Sequence, residues 1–276
     1  MVKLSSYIIC KNEEDSIKMA ILALLNHVDE IIIVDTGSKD KTIDIVKSLK
    51  SKLVKIYHFE WNDNFSSARN FALSQVSYEW VVTIDADEII KEQFNLKEII
   101  LSTPQGTNAI CPYIVSITED KEEKGYSIPR IFKKSDFYYY GYVHEQLTPY
   151  KDKRQYLSQI YITHSGYKKD IIINKNKLKR NFLLSLSNYK EDLFDEFFIM
   201  YLIIDWALYI NSDKYITPSE IFKKLTKVHN EKYFKKAMNA LLTRYFNELD
   251  MLIPLISQLD KTTKLKAIKY IEECDD

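Results

Sequence analysis

Four apolar runs, SSYIIC (5–10), EIIIVD (30–35), VKIYHF (54–59) and WVVTID (80–85), recur at near-equal intervals in the first 85 residues. Between them DSIKMAILALLNHV, KTIDIVKSLKS and NFSSARNFALSQV carry apolar residues at helical spacing, with Asp15, Asp40 and Asn64 placed to act as N-caps. Strand and helix in alternation predict a doubly wound α/β layer built on a mostly parallel sheet. Ligands of such sheets sit beyond the carboxyl ends of the strands. Here those ends are residues 11–14, 35–40, 61–65 and 85–88, and every one of these loops is polar or acidic.

The texture then changes. Residues 108–165 are β-rich, in AICPYIVSI, YSIPRIFKK, FYYYGYVHEQL and QIYITHSGY, with EDKEEKG read as an exposed hairpin loop. After Gly166 glycine vanishes and long amphipathic stretches run to the end: KNKLKRNFLLSLSNY, FDEFFIMYLIIDWALYI, PSEIFKKLTKVHN and YFKKAMNALLTRYFNEL. The expected organisation is an α/β domain over 1–166 and an all-α domain of helical hairpins over 167–276. A length of 276 residues at 46% hydrophobic content suffices for both. Paired helices of this length suit a tetratricopeptide-like array, although no clean repeat of about 34 residues is present.

Composition excludes some partners. Lys plus Arg and Asp plus Glu both total 39, so no global field recruits nucleic acid or an anionic membrane. No apolar run approaches the roughly 20 residues of a spanning helix, and MVKLSSYIIC is too short a core for a signal peptide, so a soluble, cytoplasmic protein is expected. Cys10, Cys111 and Cys274 form no CxxC pair or disulfide rhythm and read as two core thiols and one tail thiol.

The chemistry concentrates at the strand ends. WVVTIDADEII is an apolar run ending in Asp85, Asp87 and Glu88. Two aspartates one residue apart face the same way on an extended strand end and can share a divalent cation. With oxygen ligands that cation is Mg²⁺ or Mn²⁺, and its natural partner is a diphosphate. Asp35 ends another central strand, where a carboxylate suits ribose hydroxyls or a base edge. Gly37 is the only glycine in the first hundred residues, so the Gly-rich phosphate cradles of dinucleotide and P-loop proteins are missing. A diphosphate would therefore need a metal and basic side chains, for which Arg69 is the candidate. Trp61 and Asp63 either flank a nucleotide or serve the helix capped by Asn64. The lysines of GYKKDIIINKNKLKRN read mainly as a solvated helix face.

IICKNEEDSI, VDTGSKDKT, WNDNFSSARNFAL and WVVTIDADE, in that order, resemble the N-terminal half of the glycosyltransferase family 2 enzymes, which have the GT-A fold. The resemblance covers roughly the first 165 residues. It implies a Rossmann-like mixed sheet, a UDP-sugar donor and a divalent metal, Mn²⁺ or Mg²⁺. The nucleotide sugar would be held by Asn12, Glu13, Glu14, Asp35, Arg69, Asp85 and Ala86, and the metal by Asp87 above all, with Asp85. In FYYYGYVHEQL, Glu145 after Gly141 and His144 is similar in order and setting to the catalytic base of these enzymes, and His164 to a late histidine that completes metal coordination. A site mixing carboxylate and imidazole tilts the metal toward Mn²⁺. Glu88 either supports the aspartate loop from behind or faces water. GYVHEQL, HSGY and KLKRN before a helical tail further resemble a subgroup that includes the SunS-like peptide glycosyltransferases and the enzymes that extend lipopolysaccharide cores. The acceptor implied is a peptide, a protein or a glycan, with the helical tail binding it or mediating homodimerisation.

Three other readings compete. A haloacid dehalogenase-type phosphatase uses a DxD strand with the first aspartate as nucleophile. That fold wants the motif on its first strand and a Thr or Val two residues on, where this chain has it on the fourth, followed by Glu88 and Ile89. A sugar nucleotidyltransferase needs a Gly-rich, Arg-bearing loop after strand one, and CKNEED is not one. A non-enzymatic helical-repeat binding module leaves Asp35, Asp85, Asp87 and Glu145 as unrelated accidents.

Overall fold

The computed structural model describes residues 2–91, 94–117, 122–148, 155–164, 175–190, 195–209, 212–245 and 249–274. The chain divides into two compact units, one of residues 1–140 and 145–172, the other of residues 141–144 and 173–276.

The first unit opens with β1 (Leu4–Cys10), α1 (Ile17–Leu25), β2 (Glu30–Asp35), α2 (Thr42–Ser48), β3 (Val54–His58), α3 (Phe65–Gln75) and β4 (Trp80–Thr83). These match the expected alternation closely. The strands β3, β2, β1 and β4 lie side by side and parallel. Period-two alternation then divides their side chains between two faces. Leu4, Ile8, Ile31, Ile33 and Val82 join one core with α1, while Tyr7, Ile32, Val34 and Val81 join another with Ala72 and Leu73 of α3. Glu30, 4% exposed at the start of β2, is tolerated because Ser5, Ser77 and Lys55 all donate to its carboxylate.

The sheet continues through β5 (Glu88–Ile90), α4 (Leu96–Ser102), β6 (Ala109–Ile117), β7 (Glu122–Ser127), β8 (Ile131–Lys133) and β11 (Gln155–His164), in the order β4-β8-β6-β11-β5 with β7 beside β6. β8 runs antiparallel to β4 and β6, and β5 antiparallel to β11, while β11 runs parallel to β6, so the whole sheet is mixed. A hairpin of β9 (Tyr138–Tyr140) and β10 (Gln146–Thr148) forms a second, two-stranded sheet.

Several local expectations change. The expected EDKEEKG loop is half strand: β7 begins at Glu122 and pairs with β6, placing charged residues on an antiparallel neighbour strand; the rest of that loop lies outside the described residues. The N-cap of α1 is Ser16 rather than Asp15, and that of α2 is Lys41 rather than Asp40. Asp40 still accepts from the Thr42 backbone N–H at 3.0 Å. Asn64 caps α3 as read, accepting from Ser67 N at 3.0 Å.

The second unit is helical: α5 (Lys175–Lys190), α6 (Glu196–Leu208), α7 (Pro218–Leu225), α8 (Glu231–Arg244), α9 (Leu249–Ser257) and α10 (Lys261–Cys274). α6 carries its centre, with Leu202, Ile203 and Trp206 fully buried and the Trp206 indole N–H donating to Ile216 O at 3.0 Å. Residues 141–144 belong to this unit. Gly141 has φ +96°, and a Cβ there would meet the Phe198 ring at 2.8 Å, so glycine is required on both counts. No helix among the described residues is long and apolar enough to cross a membrane.

Candidate active site

The carboxyl ends of β1, β2 and β4 bring most of the expected residues into one region of the first unit. Asn12, at φ +58°, accepts from Lys39 N at 2.8 Å, and its own N–H donates to Ser38 Oγ at 3.0 Å. Glu14 accepts from Lys41 N at 3.0 Å. The loops after β1 and β2 are thereby fastened to each other. Asp35 is buried, accepts from Ser38 N at 2.9 Å and lies 3.3 Å from His58 Nδ1. The Trp61 indole donates to Asp63 at 2.8 Å and its ring packs on Phe65 at 4.8 Å, which gives both residues a part in the approach to α3.

β4 stops at Thr83, and Asp85–Glu88 form a turn in which Glu88 N donates to Asp85 O at 3.0 Å. The same-face rule for an extended strand therefore does not apply to the two aspartates. Asp85 faces two guanidinium groups: Arg69 Nη2 donates to Oδ1 at 2.9 Å, and Arg130 Nη2 lies 3.4 Å from Oδ2. Burial alone would raise the Asp85 pKa, but the two arginines hold it well below the usual carboxylate range. Ala86 is buried in the core. Asp87 is half-buried.

Arg69 is the hub. Its Nε also donates to Glu145 Oε1, so one guanidinium joins the DxD turn to the residue expected to act as base. Burial alone would lower its pKa, and the Asp85 and Glu145 carboxylates reverse that and keep it charged. Tyr139 lies behind it, 5.7 Å from guanidinium to ring centroid, and shares a 2.7 Å hydrogen bond with Tyr7 in the core. Burial pushes both phenols up.

Glu88 is 2% exposed and does not face water. Arg130 donates to its Oε1 at 2.7 Å, and its Oε2 accepts from Asp85 N at 2.8 Å. Arg130, itself 7% exposed, carried no motif signal. What could have found it is its setting: a charged residue inside SIPRIF, between apolar neighbours at the start of an interior strand, must be buried with a partner.

His144 lies in the helical unit, stacked on Tyr201 with ring centroids 3.8 Å apart, its Nε2 2.9 Å from Asp205. These contacts hold it within the helical unit. His164 ends β11 with its backbone opposite Glu88, so the strand expected to supply a late histidine does adjoin the turn.

The donor set fits a hard cation in one respect. The Glu13 carboxyl is pushed up by burial first, then by the negative charges of Asp87, Asp40 and Asp85, a concentration of carboxylate that a divalent ion would relieve. Among the described residues no group of three or more His, Cys, Asp or Glu is poised to hold an ion by itself. Such an ion would be shared with ligand oxygens, the usual manner of Mg²⁺.

A family model described as Glycosyl transferase family 2 matches residues 5–173. The SPbeta prophage-derived glycosyltransferase SunS of Bacillus subtilis is 28% identical over 184 residues, 64% of this chain and 43% of that protein. An uncharacterized glycosyltransferase of Rickettsia typhi is 39% identical over 93 residues, 34% of this chain and 30% of that one. The chain spans less than half the length of these curated relatives. Among solved structures, S. aureus TarS 1-349 in complex with UDP superposes with a TM-score of 0.50 at 16% identity, over 88% of this chain and 87% of that one, a likeness of fold.

Proposed function

The chain belongs to glycosyltransferase family 2 and has the GT-A fold, and from that premise we propose that it is a metal-dependent, inverting transferase moving a hexose or N-acetylhexosamine from a UDP-sugar to a peptide, protein or glycan acceptor. The observation that carries this reading is the Asp85–Arg69–Glu145 bridge, which puts the turn expected to meet a nucleotide diphosphate and a carboxylate expected to take a proton on one buried cation. The UDP complex of the TarS structure and the family of the SunS relative support the donor.

In this mechanism an acceptor oxygen attacks the anomeric carbon, the bond from that carbon to the UDP oxygen breaks, and the acceptor proton passes to Glu145. Asp85, fixed by its arginines, presents a rigid carboxylate to the nucleotide sugar. Asp87 and Glu13 would hold Mn²⁺ or Mg²⁺ jointly with the diphosphate. The ion, when bound, offsets the charge on the departing UDP. Arg69, charged and buried, would offer a second positive charge to the diphosphate.

Two measurements test the reading. Calorimetric titration of UDP in Mn²⁺ should show binding that weakens strongly in Asp87→Ala; absent binding, or binding indifferent to that change, refutes the donor. With UDP-glucose and UDP-N-acetylglucosamine as donors, Glu145→Gln should retain UDP binding and lose turnover by about 10²-fold or more, the loss expected for a general base. Normal turnover would place the base elsewhere.

A further inference from the structure

We propose that Arg130, anchored by Glu88, is a positioning residue of the donor site that acts through Asp85. The inference rests on the donor reading above and extends it to two residues with no assigned part.

Arg130 is held by its backbone between β6 and β4, its N–H donating to Ile110 O at 3.2 Å and its carbonyl accepting from Thr83 N at 2.9 Å. That fixes it beside the last residue of β4, directly behind the DxD turn. Its side chain then engages both ends of the turn. One Nη2 reaches Glu88 at 2.7 Å and Asp85 Oδ2 at 3.4 Å, while the other Glu88 oxygen receives the Asp85 N–H at 2.8 Å. Asp85 is thus held at its backbone by Glu88 and at its carboxylate by Arg130 on one oxygen and Arg69 on the other. With both oxygens engaged it has no freedom to swing toward an ion, which leaves that task to Asp87.

Stability alone does not account for the arrangement. A buried ion pair is a poor stabiliser, because desolvation offsets most of the attraction. This one also leaves Arg130 Nε buried without a hydrogen-bond partner, a defect that works against stability. A well-packed apolar pair would serve the core better. What charged residues supply here, and apolar ones would not, is a defined orientation for a third carboxylate.

The test is a binding cycle read by calorimetry, with UDP and Mn²⁺ as probes and wild type, Arg130→Gln, Arg130→Lys, Glu88→Gln, Asp85→Asn and Asp85→Asn/Arg130→Gln as proteins. Arg130→Gln should weaken UDP binding about 10- to 100-fold, the loss typical when an outer partner orienting a binding group is removed. Arg130→Lys should recover part of it, since it restores the charge without the fork. In the Asp85→Asn background the Arg130 substitution should change affinity less than about twofold, because the residue it acts through is already impaired. If Arg130→Gln fails to fold, Arg130→Lys and Glu88→Gln carry the comparison, each expected to weaken UDP measurably in a folded protein. Affinity within about twofold of wild type in the folded variants, even with a lowered melting temperature, marks a purely structural pair and overturns the proposal. So does an Arg130 effect that persists undiminished without Asp85. Failure of wild type itself to bind UDP refutes the donor reading instead, and this inference with it.

Discussion

Replacing Arg69 with Met keeps the length and apolar stem of the side chain and deletes its charge. The Arg69 side chain is 11% exposed, 2.9 Å from Asp85 and bonded to Glu145, whose side chain is 12% exposed. At that distance and an effective dielectric near 20, one such pair gains ~6 kcal/mol of gross attraction. Desolvation takes back most of this, and deleting one member of a buried pair costs about 3–5 kcal/mol because the remaining charge is stranded. Asp85 is 36% exposed, so water screens its share. A net loss of about 2–4 kcal/mol is expected, which for a unit of this size lowers its melting temperature by about 5–15 °C. Scanning calorimetry is the assay, because two units that melt separately are resolved by it. The decisive comparison is Arg69→Met/Glu145→Gln: removing the stranded carboxylate should return part of the loss, a coupling on the order of 1 kcal/mol or more. If Arg69→Met melts within about 2 °C of wild type, or if Glu145→Gln only adds to the damage, the charges are not held as described and the reasoning fails.

Three other outcomes follow from the same structure. Tyr7→Phe or Tyr139→Phe alone strands the partner hydroxyl of a buried 2.7 Å bond and should cost about 1–3 kcal/mol, whereas the double variant should be milder than the sum; additive urea midpoints would contradict this. Asp29 is held down to about 2: burial alone would raise its carboxyl, but Lys97, Lys3 and the Leu4 N–H outweigh it. Its folded pKa lies below the unfolded value of about 3.9, so its stabilisation is complete above that value and lost as pH falls toward 2; melting curves of Asp29→Asn should show a shallower acid limb, and an unchanged slope would exclude the pair as a contributor. Burial, aided by Asp35, Glu13 and Asp40, pushes the Cys10 thiol up to about 12, and burial pushes Cys111 to about 11, so in a Cys274→Ser background disulfide reagents near pH 8 should label neither until the protein unfolds.

Legibility in the sequence followed burial and periodicity. β2 coincides with EIIIVD because a strand covered on both faces is apolar throughout, and β6 coincides with AICPYIVSI. The turn after β4 was harder. WVVTID reads as unbroken strand, yet pairing ends at Thr83, since the tip is set by the hydrogen bonds of Glu88 and the two arginines rather than by any local preference. α4 and β5 are short, and their apolar residues, Leu96, Ile100 and Ile90, acquire meaning only from the core they join. His144 precedes Glu145 directly in the sequence, but with φ +53° at His144 the two side chains find separate partners. Their partners lie in different units, Asp205 for one and Arg69 for the other.

The same reasoning explains why one DxD motif supports two unlike carboxylates. Asp85, Glu88 and Glu145 place three negative charges around Arg69 and Arg130, which supply two positive ones, so the buried cluster is one charge short of neutral and nearly self-contained. Neutralising it further would need only a weak counter-ion, and its oxygens are already turned inward to guanidinium groups. Asp87, half-buried, is the other aspartate of the motif. Burial, with the fields of Asp87, Asp40 and Asp85 added to it, pushes the Glu13 carboxyl up, where the arginines pull the cluster's own Asp85 down. The opposite displacements of Glu13 and Asp85 mark opposite surroundings: cations already in place for Asp85, and burial beside other carboxylates for Glu13. A divalent ion arriving with a diphosphate would offset that crowding of carboxylates and leave the inner cluster undisturbed. The arginine-bound state of Asp85 therefore follows from the turn geometry and from the residues packed behind it, and on the proposed reading it is Asp87, in the same turn, that meets the ion.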